Sequence, residues 1–226
     1  MLRTAFAALL LACAGYAGAA WLTHDFQVWT AEGARRLEVA LQPVPVPATP
    51  VDGPGVALQP LNAWLAGEGR VSVVDFIYTR CETLCRSLGG VFQQLQRRLQ
   101  QGGTPGDGVR LVSISFDGAH DTPERLAAYA RGLGADPAWW RFVRAPDAGA
   151  TAELLRRFEV VVVPDGRGGY EHNAALLVLD ARGRLVRVFD VAEQDLALDY
   201  ARHLARQAHG AAPTGPAPAV AARRAG

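Results

Sequence analysis

Cys81 and Cys85, in Arg80-Cys81-Glu82-Thr83-Leu84-Cys85-Arg86, are the side chains of this sequence best suited to chemistry. They come after the apolar run Val71-Ser72-Val73-Val74-Asp75-Phe76-Ile77-Tyr78, which reads as a buried strand, and the residues after Cys81 read as a helix. Side chains four apart on a helix share a face. Two sulfurs so placed converge on one metal ion or on each other. A helix N-terminus favours a thiolate, because its unpaired N–H groups and dipole supply positive potential. Arg80 and Arg86 add to that potential, or are simply solvated, and Glu82 opposes it. Redox motifs typically carry two residues between the cysteines, whereas this chain carries three. That spacing still closes a disulfide after a small backbone adjustment, and it also suits a metal held by both sulfurs and a third ligand.

His172 is the candidate third ligand. It stands in Gly168-Gly169-Tyr170-Glu171-His172-Asn173, just before the apolar run that begins at Ala174. The glycines read as a mobile loop able to bring the imidazole over the cysteines, and the plain alternative is a surface histidine. Two thiolates and one imidazole form a soft set. Sulfur ligands select Cu(I), and a mixed sulfur and nitrogen set also accommodates Cu(II) or zinc. A structural zinc site needs a fourth ligand, which the sequence does not offer. His24, His120, His203 and His209 are assigned no role.

The bulk numbers narrow the classes. With 226 residues, half of them hydrophobic, the chain fits one domain with extensions. Its 23 basic and 22 acidic side chains leave a net charge of +1, which gives no sign of nucleic-acid binding. No small-molecule substrate is inferred. The remaining cysteine, Cys13, lies in the uncharged stretch Ala5 to Leu22, behind Arg3. That stretch is near the minimum length for a membrane span. Three readings compete: an uncleaved anchor, a signal cleaved near Ala17-Gly18-Ala19, and lipidation at Cys13. The anchor is preferred, with Trp21 and Trp29 at the interface. Each version exports the rest of the chain.

The elements that position these residues are legible in chain order. Residues 1–22 are the anchor or signal segment. Residues 23–55 are a mixed segment, with a short helix around Thr30 to Arg36, and a linker marked by Pro43, Pro45, Pro47, Pro50 and Pro54. Residues 56–209 form the folded domain. Within it a strand spans Val71 to Tyr78, and Leu84 to Gln101 is a helix with Leu84, Leu88, Val91, Phe92, Leu95 and Leu99 on one stripe. Gly102 to Gly106 ends it. A strand over Val109 to Phe116 precedes a helix that Asp121-Thr122-Pro123-Glu124 opens. A short strand at Trp139 to Val143 and a helix at Ala148 to Phe158 come next. Ala174 to Asp180 and Leu185 to Asp190 form a hairpin, and Gln194 to Ala208 closes the domain. Residues 210–226 read as a disordered tail. Parallel strands joined by a helix, then an antiparallel hairpin and a helix, make an α/β thioredoxin-like plan: a mixed sheet flanked by helices behind an N-terminal membrane anchor.

These residues, in this order, resemble the Sco/SenC family, thioredoxin-fold copper chaperones of cytochrome c oxidase assembly. The resemblance rests on the anchor and on Val74-Asp75-Phe76-Ile77-Tyr78-Thr79-Arg80 leading into Cys81 and Cys85. It also rests on Val112 to Asp117 leading into Asp121-Thr122-Pro123-Glu124, and on His172 before a strand ending in Asp180. It spans Val71 to Asp190. It implies that Cys81, Cys85 and His172 bind copper, that the domain is periplasmic, and that the partner is a cytochrome c oxidase subunit or another copper protein. Asp117 and Asp121 match acidic positions of the family and read here as turn and cap residues. The family usually has proline after each cysteine, where this chain has Glu82 and Arg86. Three functions are compatible with these residues: a copper metallochaperone, a thiol–disulfide oxidoreductase acting on an exported partner's cysteines, and an inert scaffold with a stable disulfide.

Overall fold

Two seven-residue strands, buried at every position and mainly apolar, set the centre of the fold. The computed structural model describes residues 2–23, 25–26, 28–80, 84–103 and 108–210, with the side chains of 84–87 and 210 outside that description. In chain order, the elements begin with α1 (Leu2–Leu22), α2 (Ala31–Leu41), β1 (Val44–Pro45), β2 (Pro50–Gly53), β3 (Val56–Pro60) and α3 (Leu61–Gly67). Next come β4 (Val71–Ile77), α4 (Leu84–Gly102), β5 (Val109–Ser115), α5 (Pro123–Gly132), β6 (Trp140–Arg144) and α6 (Ala148–Arg157). The chain continues through β7 (Val162–Pro164), β8 (Tyr170–His172), β9 (Leu176–Leu179), β10 (Arg184–Phe189) and α7 (Gln194–Gly210).

The main sheet has the order β1-β10-β9-β4-β5-β6-β2-β3. The strands β4, β5 and β6 are parallel, β9 runs antiparallel to β4, and β10 runs antiparallel to β9. This is the thioredoxin-like mixed sheet expected from the element order. Register partners share a face, so Asp75, Ser113 and Phe142 lie in one row across β4, β5 and β6. α4 covers that face: Phe92 packs on Trp140 at 5.4 Å between ring centroids. Leu88, Phe92, Leu95 and Leu99 are its buried stripe, as the helical period requires. On the other face Phe76 meets Phe158 at the end of α6, at 5.7 Å. There Arg110, fully buried, binds Ser72 Oγ, the Leu65 carbonyl and Glu68 and lies 4.8 Å over the Trp64 ring.

Two segments carry more structure than their composition suggests. The proline-rich stretch is extended, as expected, but it is also paired. Val44 and Pro45 lie against β10, and Asp52 lies against Arg144 of β6. Pro45 is tolerated because β1 is an edge strand with N–H groups unused on one side, and Pro50 because it is the first residue of β2. The glycine-rich segment before His172 is also ordered, as the hairpin β7–β8, a two-stranded sheet apart from the main one. Two expectations fall outside the described residues: the tail beyond Gly210, and the helix-ending turn from Thr104 to Gly106.

α1 is a separate matter. All 21 of its residues are helical, none is buried, and its mean hydropathy is 1.8. It is the one described helix long and apolar enough to cross a membrane. Cys13 lies on it as an exposed free thiol.

Candidate metal and thiol site

The carboxyl ends of β4 and β5 create the site. β4 stops at Ile77, and Tyr78, Thr79 and Arg80 carry the chain onward to Cys81. Cys81 lies outside the described residues, and of Cys85 the structure describes only the backbone, in the first turn of α4. That turn carries N–H groups without intrahelical partners, the source of the positive potential expected at this end of a helix.

The approach to the cysteines is held rigidly by the end of β5. Phe116 N donates to the Ile77 carbonyl at 3.0 Å. Asp121, fully buried, accepts from Thr79 N at 2.9 Å, from Ser115 Oγ at 2.6 Å and from the Thr79 hydroxyl. Arg80 donates to Asp117 Oδ2 at 2.7 Å, and this bond raises the guanidinium pKa above its ordinary value. Asp117 therefore offsets the charge of Arg80, and less of it reaches a neighbouring thiol. The sequence marked both aspartates as turn and cap residues. The structure shows them fastening the segment that enters the cysteine motif.

His172 ends β8, opposite Val162 of β7. Its ring stands edge-on to Phe116, 5.2 Å between centroids. Phe116 also meets Tyr78 at 5.3 Å and Tyr170 at 5.7 Å. Four rings thus join the His172 hairpin to the strand end that leads into Cys81. His172 Nδ1 lies 3.2 Å from the Asn173 carbonyl oxygen. A carbonyl only accepts, so this hydrogen bond requires the proton on Nδ1 and leaves the neutral ring's lone pair on Nε2. Burial pushes the imidazole pKa below its usual value, and the Asn173 carbonyl draws it part of the way back. The same hydrogen bond orients the ring. Metal-bound histidines commonly have their second nitrogen held in this way.

Asn173 also closes the base of the hairpin. Its side chain accepts from Val161 N at 2.8 Å and donates to the Glu159 carbonyl at 3.1 Å. At the tip, Asp165 accepts from Arg167 N and Gly169 N at 2.7 and 2.9 Å. Among the described residues no three His, Cys, Asp or Glu side chains cluster as a metal site. Sequence reasoning passes over Tyr78, Phe116 and Tyr170 because aromatic residues at strand ends usually signal packing. It passes over Asp75 as well, although a charge inside Val-Val-Asp-Phe-Ile is an audible discord.

Comparison with known proteins places this geometry. The family described as SCO1/SenC matches residues 65–208. The SCO1 protein homolog of Bacillus subtilis (strain 168) is 26% identical over 144 residues, spanning 63% of this chain and 70% of that protein. The structure of Bradyrhizobium japonicum ScoI with copper bound superposes with a TM-score of 0.58 at 21% identity, covering 71% of this chain and 99% of that one. BsSco, described with a disulfide switch and as a member of the Sco family of cytochrome c oxidase assembly proteins, superposes with a TM-score of 0.62 at 21% identity. It covers 73% of this chain and 95% of that one.

Proposed function

This chain belongs to the SCO1/SenC family, and from that premise we propose that it is a membrane-anchored copper metallochaperone. Its cargo is copper, held by Cys81, Cys85 and His172 and passed to a copper site of a respiratory oxidase. The observation that carries this reading is the setting of His172: half-buried, with Nδ1 hydrogen-bonded to the Asn173 carbonyl and the ring packed on Phe116. Two residues, Thr79 and Arg80, separate Tyr78 from Cys81, so covalent reach alone keeps the α-carbons of Tyr78 and Cys81 within about 11 Å. A soft sulfur and nitrogen donor set suits copper in either oxidation state. The copper-bound structure of ScoI supports the same cargo.

The N-terminal helix supports the location. At 21 residues it is about 31 Å long, enough for the hydrocarbon core. Arg3 at its start fits the cytoplasmic side, which puts residues 23 onward on the periplasmic side. The partner is a cytochrome c oxidase subunit or another copper protein.

The test is a Cu(I) competition titration of the reduced full-length chain in detergent. Cys81→Ser and His172→Ala should each weaken binding at least about 10-fold. Affinities indistinguishable from wild type would remove the copper reading. A second reading, thiol–disulfide exchange with an exported partner, is favoured by the likeness to BsSco with its disulfide switch. It needs both cysteines and is indifferent to His172, so client-peptide reduction that survives His172→Ala but not Cys81→Ser would select it.

A further inference from the structure

The hairpin bearing His172 cannot hold itself in place. It is a sheet of two three-residue strands, β7 and β8, outside the main ladder, and an isolated two-stranded hairpin is marginally stable at best. In an antiparallel pair, alternate residues turn both backbone groups away from the partner strand. The bonds Asp165 N to Gly169 O and Asn173 N to Val161 O mark the inward-facing residues. Tyr170 and His172 are the alternate ones, with their N–H and carbonyl groups on the outer edge of β8.

One side chain closes that edge at Tyr170. The Tyr78 hydroxyl donates to the Tyr170 carbonyl at 3.0 Å and accepts from Tyr170 N at 3.0 Å. A single oxygen thus takes the place of a neighbouring strand. The Tyr78 ring is buried and stands edge-on to Tyr170 at 5.3 Å between centroids. Tyr170 and His172 are two residues apart, so their side chains share a face of β8, and both meet Phe116. Gly169 permits the approach: a Cβ there would stand 3.1 Å from the Tyr78 hydroxyl and 2.6 Å from Asp165 Oδ2.

We propose that Tyr78 is a positioning residue for copper binding, whose hydroxyl pins β8 and so seats the His172 imidazole above the strand end that leads to the cysteine pair. The assignment rests on His172 being a copper ligand, and it adds a control point. Tyr78 sets how well the third donor is presented while leaving the thiols' own chemistry alone. It acts through the hairpin and touches no copper itself.

The experiment is a double-mutant cycle on the full-length chain in detergent, read by Cu(I) competition against a chromophoric chelator. Tyr78→Phe keeps the ring and removes only the hydroxyl. It should weaken Cu(I) binding about 10-fold, the scale on which groups supporting a metal ligand act. Combined with His172→Ala it should add nothing to the loss His172→Ala causes alone, because the latch then has no ligand to seat. The reduction potential of the Cys81/Cys85 pair in the copper-free chain should stay at the wild-type value. Gly169→Ala, crowding the same contact from the hairpin side, should reproduce the copper defect. Wild-type affinity in Tyr78→Phe, with a clear His172→Ala effect, overturns the latch alone. So does a Tyr78→Phe loss that adds in full to that of His172→Ala, or one accompanied by a shifted potential. Equal binding by wild type and His172→Ala overturns the ligand reading and the latch together.

Discussion

Asp75 is the residue whose chemistry departs furthest from its type. It is 1% exposed in the middle of β4, and its Oδ1 finds no hydrogen-bond partner among the described residues. Burial pushes its pKa from 3.8 up to about 7, with the Ser113 hydroxyl drawing it back only in part. The folded chain therefore holds this proton over a pH range in which the unfolded chain has released it. Between those values stability falls as pH rises, and it levels off above about 7. The shift sets an upper bound of roughly 4 kcal/mol on the effect. Asp75→Asn removes the titration and keeps the shape. It should be more stable than wild type at pH 8 by roughly 2 kcal/mol, with the advantage vanishing near pH 4. Urea unfolding at several pH values reads this directly, and parallel curves for the two proteins would refute it. At this scale the sequence is informative about identity and poor on environment. Cys81, Cys85 and His172 stand out by type and spacing, but nothing local tells that Asp121 collects three donors or that Tyr78 reaches Tyr170, 92 residues on. Such contacts are made by the fold and leave no periodic trace.

Elements announce themselves when their signal is local. α5 begins where Thr122, Pro123 and Glu124 say it should, and the Thr122 side chain caps it by accepting from Arg125 N. The buried stripe of α4 and the apolar runs of β4 and β5 are legible for the same reason. The pairing of the proline-rich segment is not, because its partners, β10 and β6, are far along the chain. Its composition speaks for extended backbone and is silent on which strands receive it. Val39, Val46 and Val51 of α2 and this segment are 3%, 5% and 0% exposed. Fully burying a valine contributes about 1.5 kcal/mol or more. A chain beginning at Val56 should therefore be less stable than one beginning at Ala31 by at least about 3 kcal/mol. Equal denaturation midpoints would mean that these strands are ornamental. The hairpin β7–β8 departs from its sequence signal in the opposite sense. Glycine at 168 and 169 suggests a mobile loop, whereas Gly166 and Gly168, at φ 72° and 89°, supply the left-handed turn that closes two short strands.

The whole molecule divides into an apolar helix that contacts no core and a domain that buries its own. If the helix is an anchor, full-length chain expressed in a bacterium should stay in the membrane pellet through alkaline carbonate washing. Removing residues 2–22 should release it. Recovery of the intact chain in the wash would leave the helix as a removable signal. Within the domain, the strand end that leads to the cysteines grows from the centre of the eight-stranded sheet, while the imidazole rides on a separate two-stranded flap. Regions of such unequal size open at unequal cost. A carrier must be able to let go. If His172 is the nitrogen donor proposed above, it sits on the element whose opening leaves the interior folded, and a recipient would dismantle the copper shell from that weakest corner.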